Sequence, residues 1–137
     1  MRKAIWIVSI LMLAYTVIGA VFNIPSSILI LLDISSFVGD LQNALPMITL
    51  EEAELFTRTY AIAILVENII SLAGMGFLVY YIRNAFNETF KGKKAMLFSI
   101  PAFIFAYFPI AIILLVFGSK TLHDPVVTVI DQDPPSE

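Results

Sequence analysis

Three apolar runs divide the chain, at residues 4–24, 60–82 and 95–117, and Glu67 is the one charged residue in all of them. A helix rises about 1.5 Å per residue, so each run is long enough to cross a hydrocarbon core of roughly 30 Å. The pattern predicts an all-α integral membrane protein with three transmembrane helices. A cleaved signal peptide is the alternative for the first run, with Arg2 and Lys3 before it and Gly19 and Ala20 as small residues near its end. The bulk of Ile18 and the length of the run oppose that alternative.

Between the first two runs the pattern changes. Over residues 26–45 the polar side chains Ser26, Asp33, Ser36, Asp40 and Asn43 recur at helical spacing, with Ile28, Leu31, Val38 and Leu41 on the remaining surface. This predicts an amphipathic helix lying at the outer interface, started by Pro25 and stopped by Pro46. A continuous first helix running through Pro25 to Leu32 is the main alternative. Further on, Thr49 followed three residues later by Glu52 reads as a capping box that starts the second long helix. In the third run, Pro101 and Pro109 remove backbone donors and predict bends.

Composition agrees with this pattern. Of 137 residues, 59% are hydrophobic and 14% charged, against about 25% charged in soluble proteins. The expected organisation is a single helical membrane domain over residues 1–117 and a polar tail over 118–137. Within that tail, residues 126–130 are β-prone and suit either a flexible segment or a strand added to a partner. The chain has no cysteine and one histidine, His123, which excludes thiolate chemistry, cysteine-ligated metals and a bis-histidine haem. No metal-binding, nucleotide-binding or catalytic motif is present, so no cofactor and no enzymatic activity are expected.

With three crossings, Arg2, Lys3, Arg83, Lys91, Lys93 and Lys94 fall on one side, whereas Arg58 and Lys120 fall on the other with most of the acids. The positive-inside rule then predicts a multi-pass plasma or inner-membrane protein with a cytoplasmic N-terminus and an extracytoplasmic C-terminus. Trp6, Tyr80, Tyr81 and Tyr60 fall at the expected interfaces. Asn87, Glu88 and Thr89 form a glycosylation sequon, which this orientation keeps unmodified.

The chemical anomaly is Glu67, beside Asn68. On a helix it shares a face with Tyr60, Ala63, Ser71 and Gly74, a face whose small residues suit close helix packing. Ser9, Thr16 and Asn23 form a stripe on the first helix, and Ser99, Ala102, Ala106 and Pro109 form another on the third. Counting residues inward puts Glu67, Thr16, Tyr15 and Tyr107 at one depth, with hydroxyl donors near the acid and no cation. Glu67, Asn68, Ser71, Thr16 and Tyr107 are therefore the candidate polar site or packing contact. The acid is expected to be protonated and hydrogen-bonded, paired by another subunit, or a proton or cation site. The expected function is a small non-catalytic accessory subunit of a larger membrane complex with other integral membrane proteins as partners. The alternative is a homo-oligomeric transporter or channel component.

Overall fold

The computed structural model describes residues 1–124, and these form helices without a strand. In chain order they are α1 (Arg2–Leu32), α2 (Ile34–Ala44), α3 (Leu50–Asn84), α4 (Gly92–Leu97), α5 (Ser99–Ile104) and α6 (Phe108–Lys120). The β-prone stretch at 126–130 and most of the polar tail lie outside the described residues. Two helices, α1 and α3, are long and apolar enough to cross a membrane.

Continuity through Pro25 makes α1 longer than the 4–24 run. The ring cannot donate to the Val21 carbonyl, but the neighbouring hydroxyls keep adjacent carbonyls engaged. Ser26 Oγ donates to Phe22 O at 2.7 Å and Ser27 Oγ to Asn23 O at 2.8 Å. The amphipathic helix is accordingly shorter than the expected 26–45. It begins only after Asp33, whose carboxylate accepts from Ser36 N at 3.4 Å as the N-cap of α2. Helix α2 lays Val38, 4% exposed, against the first turns of α3.

The capping box forms at the start of α3. Glu52 N donates to Thr49 Oγ1 at 3.2 Å, and Thr49 N donates back to Glu52 Oε2 at 2.9 Å. From there α3 runs antiparallel along α1. At the far end Arg2 donates to the Ala85 carbonyl at 3.2 Å and pairs with Glu88 at 3.3 Å, while Trp6 packs on Phe86. Of the stripe expected on α1, Ser9 and Thr16 are buried and Asn23 is exposed; Ala20 and Ser27 are buried with them, and Ala53, Thr57, Ala61 and Asn68 are buried on α3. Small residues allow the two helices this close approach.

The third apolar run is not one continuous helix over residues 95–117. It is a helical hairpin: α4 and α5 lead inward and α6 returns beside α4. The return is fixed at its base, where Gly92 N donates to Thr121 Oγ1 at 2.8 Å. Gly118 lies so close to α4 that a Cβ there would stand 2.8 Å from Gly92 O and 2.9 Å from Met96 N. Phe117 sits 5.3 Å from the Arg2 guanidinium, stacked under its charge. Residues 118–122 therefore lie at the same end of the bundle as the start of α1.

Proline chemistry explains the bend. Pro109 has no N–H for the Phe105 carbonyl four residues back, and its ring clashes with that carbonyl in a continuous helix. So α5 stops at Ile104 and Pro109 falls in the first turn of α6. Ala106 takes a left-handed φ of 61°. Tyr107 N donates to Ala102 O at 2.8 Å and Ala106 N to Phe103 O at 3.1 Å. Those two bonds make a Schellman motif with alanine where glycine is usual. The hairpin is anchored against α3 by Tyr81, whose hydroxyl donates to Phe98 O at 2.6 Å, and by Tyr80 stacked on Phe98 at 4.6 Å. Leu78, Phe90, Ile110 and Leu114 fill the space between.

Candidate functional site

The tip of the hairpin reaches the middle of the α1–α3 pair. Tyr107 Oη donates to the Ser71 carbonyl at 2.9 Å, and the Phe105 and Tyr107 rings lie over Gly74. A Cβ on Gly74 would come within 2.8 Å of both rings. Glycine is therefore what lets the hairpin tip sit on α3.

Above that contact the helices do not close, leaving a cavity of about 210 Å³. Helix α1 lines it with Met12, Tyr15, Thr16, Gly19 and Asn23; α3 adds Glu67, Asn68 and Ser71; the hairpin tip adds Phe105, Ala106 and Tyr107. Thr16, Glu67, Asn68, Ser71 and Tyr107, grouped from the sequence by face and depth, all border this one space. Tyr15 and Asn23 are also there, exposed at its rim.

Two expectations about Glu67 change. The face of α3 that packs on α1 is centred on Asn68, which is 8% exposed, while Glu67 is exposed at the cavity wall. A 35-residue helix leaning across its neighbour buries a stripe that rotates slowly along its length, so Ala53, Ala61 and Asn68 take the contact before Gly74 and Leu78 do. The hydroxyls at the level of Glu67 are also not directed to it. Thr16 Oγ1 donates to Met12 O at 2.8 Å, Asn68 Nδ2 donates to Ile64 O at 2.8 Å, and Tyr107 donates to Ser71 as above. Among the described residues no hydrogen bond or ion pair engages the Glu67 side chain, at the midpoint of α3.

Elsewhere the described interior is satisfied: no buried side-chain nitrogen or oxygen lacks a hydrogen-bond partner. Among the described residues no group of three or more His, Asp or Glu side chains gathers to hold a metal. Sequence reasoning missed Met12, Gly19, Phe105 and Ala106 as cavity residues. Pro109, four residues after Phe105, was the available signal for the last two. No family model, curated protein or solved structure matches the chain.

Proposed function

We propose that the chain is a small non-catalytic subunit of a larger membrane complex, joined to other integral membrane proteins through the face around Glu67. The observation that carries this reading is the unpaired acid at the midpoint of α3, a helix long and apolar enough to span a membrane. A carboxylate at that depth is costly unless something answers it. Because nothing in the described chain does, the complement comes from outside it.

The membrane arrangement we propose has two crossings, α1 and α3, and a re-entrant hairpin formed by α4 to α6. Helix α6 has 13 residues, about 20 Å at roughly 1.5 Å per residue, short of a crossing. At the bend Tyr107 is buried against α3, and Phe105, Ala106 and Tyr107 border the cavity, a setting in which irregular backbone is tolerated at membrane depth. Arg2, Lys3, Arg83, Lys91, Lys93, Lys94 and Lys120 then share one side, and Arg58 is the basic residue of the other. This sharper asymmetry supports a cytoplasmic N-terminus in the plasma or inner membrane, and moves residues 118–124 to the cytoplasmic side.

Extraction in a mild detergent followed by native mass spectrometry tests the assembly. Association with other membrane proteins at fixed stoichiometry, weakened by Glu67→Gln, is expected. A chain recovered only as a monomer contradicts the reading. A homo-oligomeric transporter or channel component is the second reading, favoured by the backbone break at 105–107 bordering the same cavity as Glu67. It requires a pure homo-oligomer whose ion flux in liposomes changes with Glu67→Gln.

A further inference from the structure

The hydrogen-bond directions around the cavity give it a definite chemical sense. Thr16, Tyr107 and Asn68 each direct a donor to a backbone carbonyl. What the two hydroxyls have left is oxygen lone pairs, and Asn68 keeps Oδ1 with a single amide hydrogen. Glu67 contributes two carboxylate oxygens. At the hairpin tip the Phe105 carbonyl has lost its helical donor to Pro109, so one more acceptor belongs to the segment that borders the space. Acceptors dominate the wall, and the Ser71 hydroxyl and the rim residues Tyr15 and Asn23 can present either sense.

Size restricts the occupant further. A water needs about 10–15 Å³ of such space, so a cavity of about 210 Å³ holds a polyatomic group together with solvent. A bare metal ion needs several oxygens gathered at about 2.3–2.6 Å, and among the described residues lining the space Glu67 has no second carboxylate or histidine grouped with it for that. A cation with several N–H donors needs only hydrogen-bond acceptors spread around the space.

We propose that the cavity binds a hydrogen-bond-donating organic cation, a primary ammonium or a guanidinium, with its charge against Glu67 and its N–H groups on the acceptors of α1, α3 and the hairpin tip. The group is carried by a lysine or arginine of a neighbouring chain or by a free amine; the chemistry recognised is the same. The inference rests on the reading of Glu67 as an acid answered from outside the chain, but it does not require assembly.

The test is a titration of the purified full chain in maltoside detergent, followed through the backbone amide NMR signals of Gly19, Asn68 and Ala106. Ethylammonium is compared with tetramethylammonium, which has the same charge and no N–H, and with sodium, all as chlorides at equal ionic strength. Ethylammonium is expected to bind at least about tenfold more tightly than either. Glu67→Gln should remove that preference by deleting the charge. Gly19→Leu should remove it by filling the space while keeping the acid; a Cβ at Gly19 meets nothing nearer than Asn23 Nδ2 at 3.9 Å, so the new side chain leaves the helix without a clash at its first atom. Equal binding of the three cations, no binding, or a preference that survives both substitutions overturns the proposal. Repeating the titration on the native complex separates the sources. Loss of ethylammonium binding there identifies a partner's side chain, and unchanged binding identifies a free amine. Failure of the assembly reading appears separately, in the native mass spectrum.

Discussion

The Tyr107 hydroxyl donates to the Ser71 carbonyl at 2.9 Å while its ring lies on Gly74, one turn further along the same helix. That single side chain ties the hairpin tip to α3 and forms the floor of the cavity beside Glu67. Tyr107→Phe removes the hydrogen bond and leaves the ring, so a loss of about 0.5–1.5 kcal/mol is expected. Gly74→Ala must push both rings away and is expected to cost more. Thermal unfolding in detergent ranks the two variants; equal stability of Gly74→Ala and the parent would contradict the contact.

Ala106 occupies the left-handed position of the Schellman motif. A non-glycine residue there carries a steric cost of roughly 1–2 kcal/mol. Ala106→Gly relieves it and should raise the unfolding temperature, less whatever the freer unfolded chain takes back. Ala106→Val should lower it. The same melting experiment reads both, and a destabilising Ala106→Gly would mean that the bend is not formed as described.

The close approach at Gly118 predicts a contrast between glycines. Gly118→Ala drives a methyl group into Gly92 O and Met96 N and should open the hairpin base, seen as faster proteolysis near residues 92–120. Gly39→Ala and Gly76→Ala have nothing within 4 Å of the new Cβ. Both lie inside helices, where the change is expected to stabilise by about 0.5–1 kcal/mol.

The capping box gives a pH dependence. Hydrogen bonding from Thr49, from its backbone N–H first and its hydroxyl second, holds the exposed Glu52 carboxyl below its ordinary 4.5. A lowered folded-state pKa means that the contribution to helix stability is complete above 4.5 and disappears as pH falls through the lowered value. Amide hydrogen exchange, corrected for intrinsic rates, should therefore show the first turn of α3 fraying in that acid window. Glu52→Gln should fray less steeply with pH.

Much of this was legible in the sequence, for physical reasons that differ from element to element. The apolar length of residues 4–24 and 60–82 marked two helices long and apolar enough to cross a membrane, and Thr49 with Glu52 specified where α3 starts. The shared level of Thr16, Glu67 and Tyr107 followed from a fixed rise per residue. The hairpin was hidden because a crossing and two short helices folded back have the same apolar composition. The turn also lacks the glycine that would have marked it: Ala106 takes the left-handed conformation instead. Only Pro109, placed to deny Phe105 its donor, separated the two possibilities. Pro25 misled in the opposite direction, since Ser26 and Ser27 let α1 continue past it. The direction of the Thr16 and Tyr107 hydroxyls was beyond any periodicity, because each had a nearby carbonyl to compete with Glu67.

The return of α6 to the Arg2 end determines which side each end of the hairpin faces, and labelling in sealed membranes measures it directly. The chain has no cysteine, so Lys3→Cys, Met47→Cys and Lys120→Cys each introduce one thiol at an exposed position, Met47 being 97% exposed between α2 and α3. A membrane-impermeant maleimide applied to oriented vesicles should label Lys3→Cys and Lys120→Cys from the same side and Met47→Cys from the opposite one. Labelling of Lys120→Cys together with Met47→Cys would mean a third crossing, and would contradict the re-entrant hairpin and the cavity floor it forms.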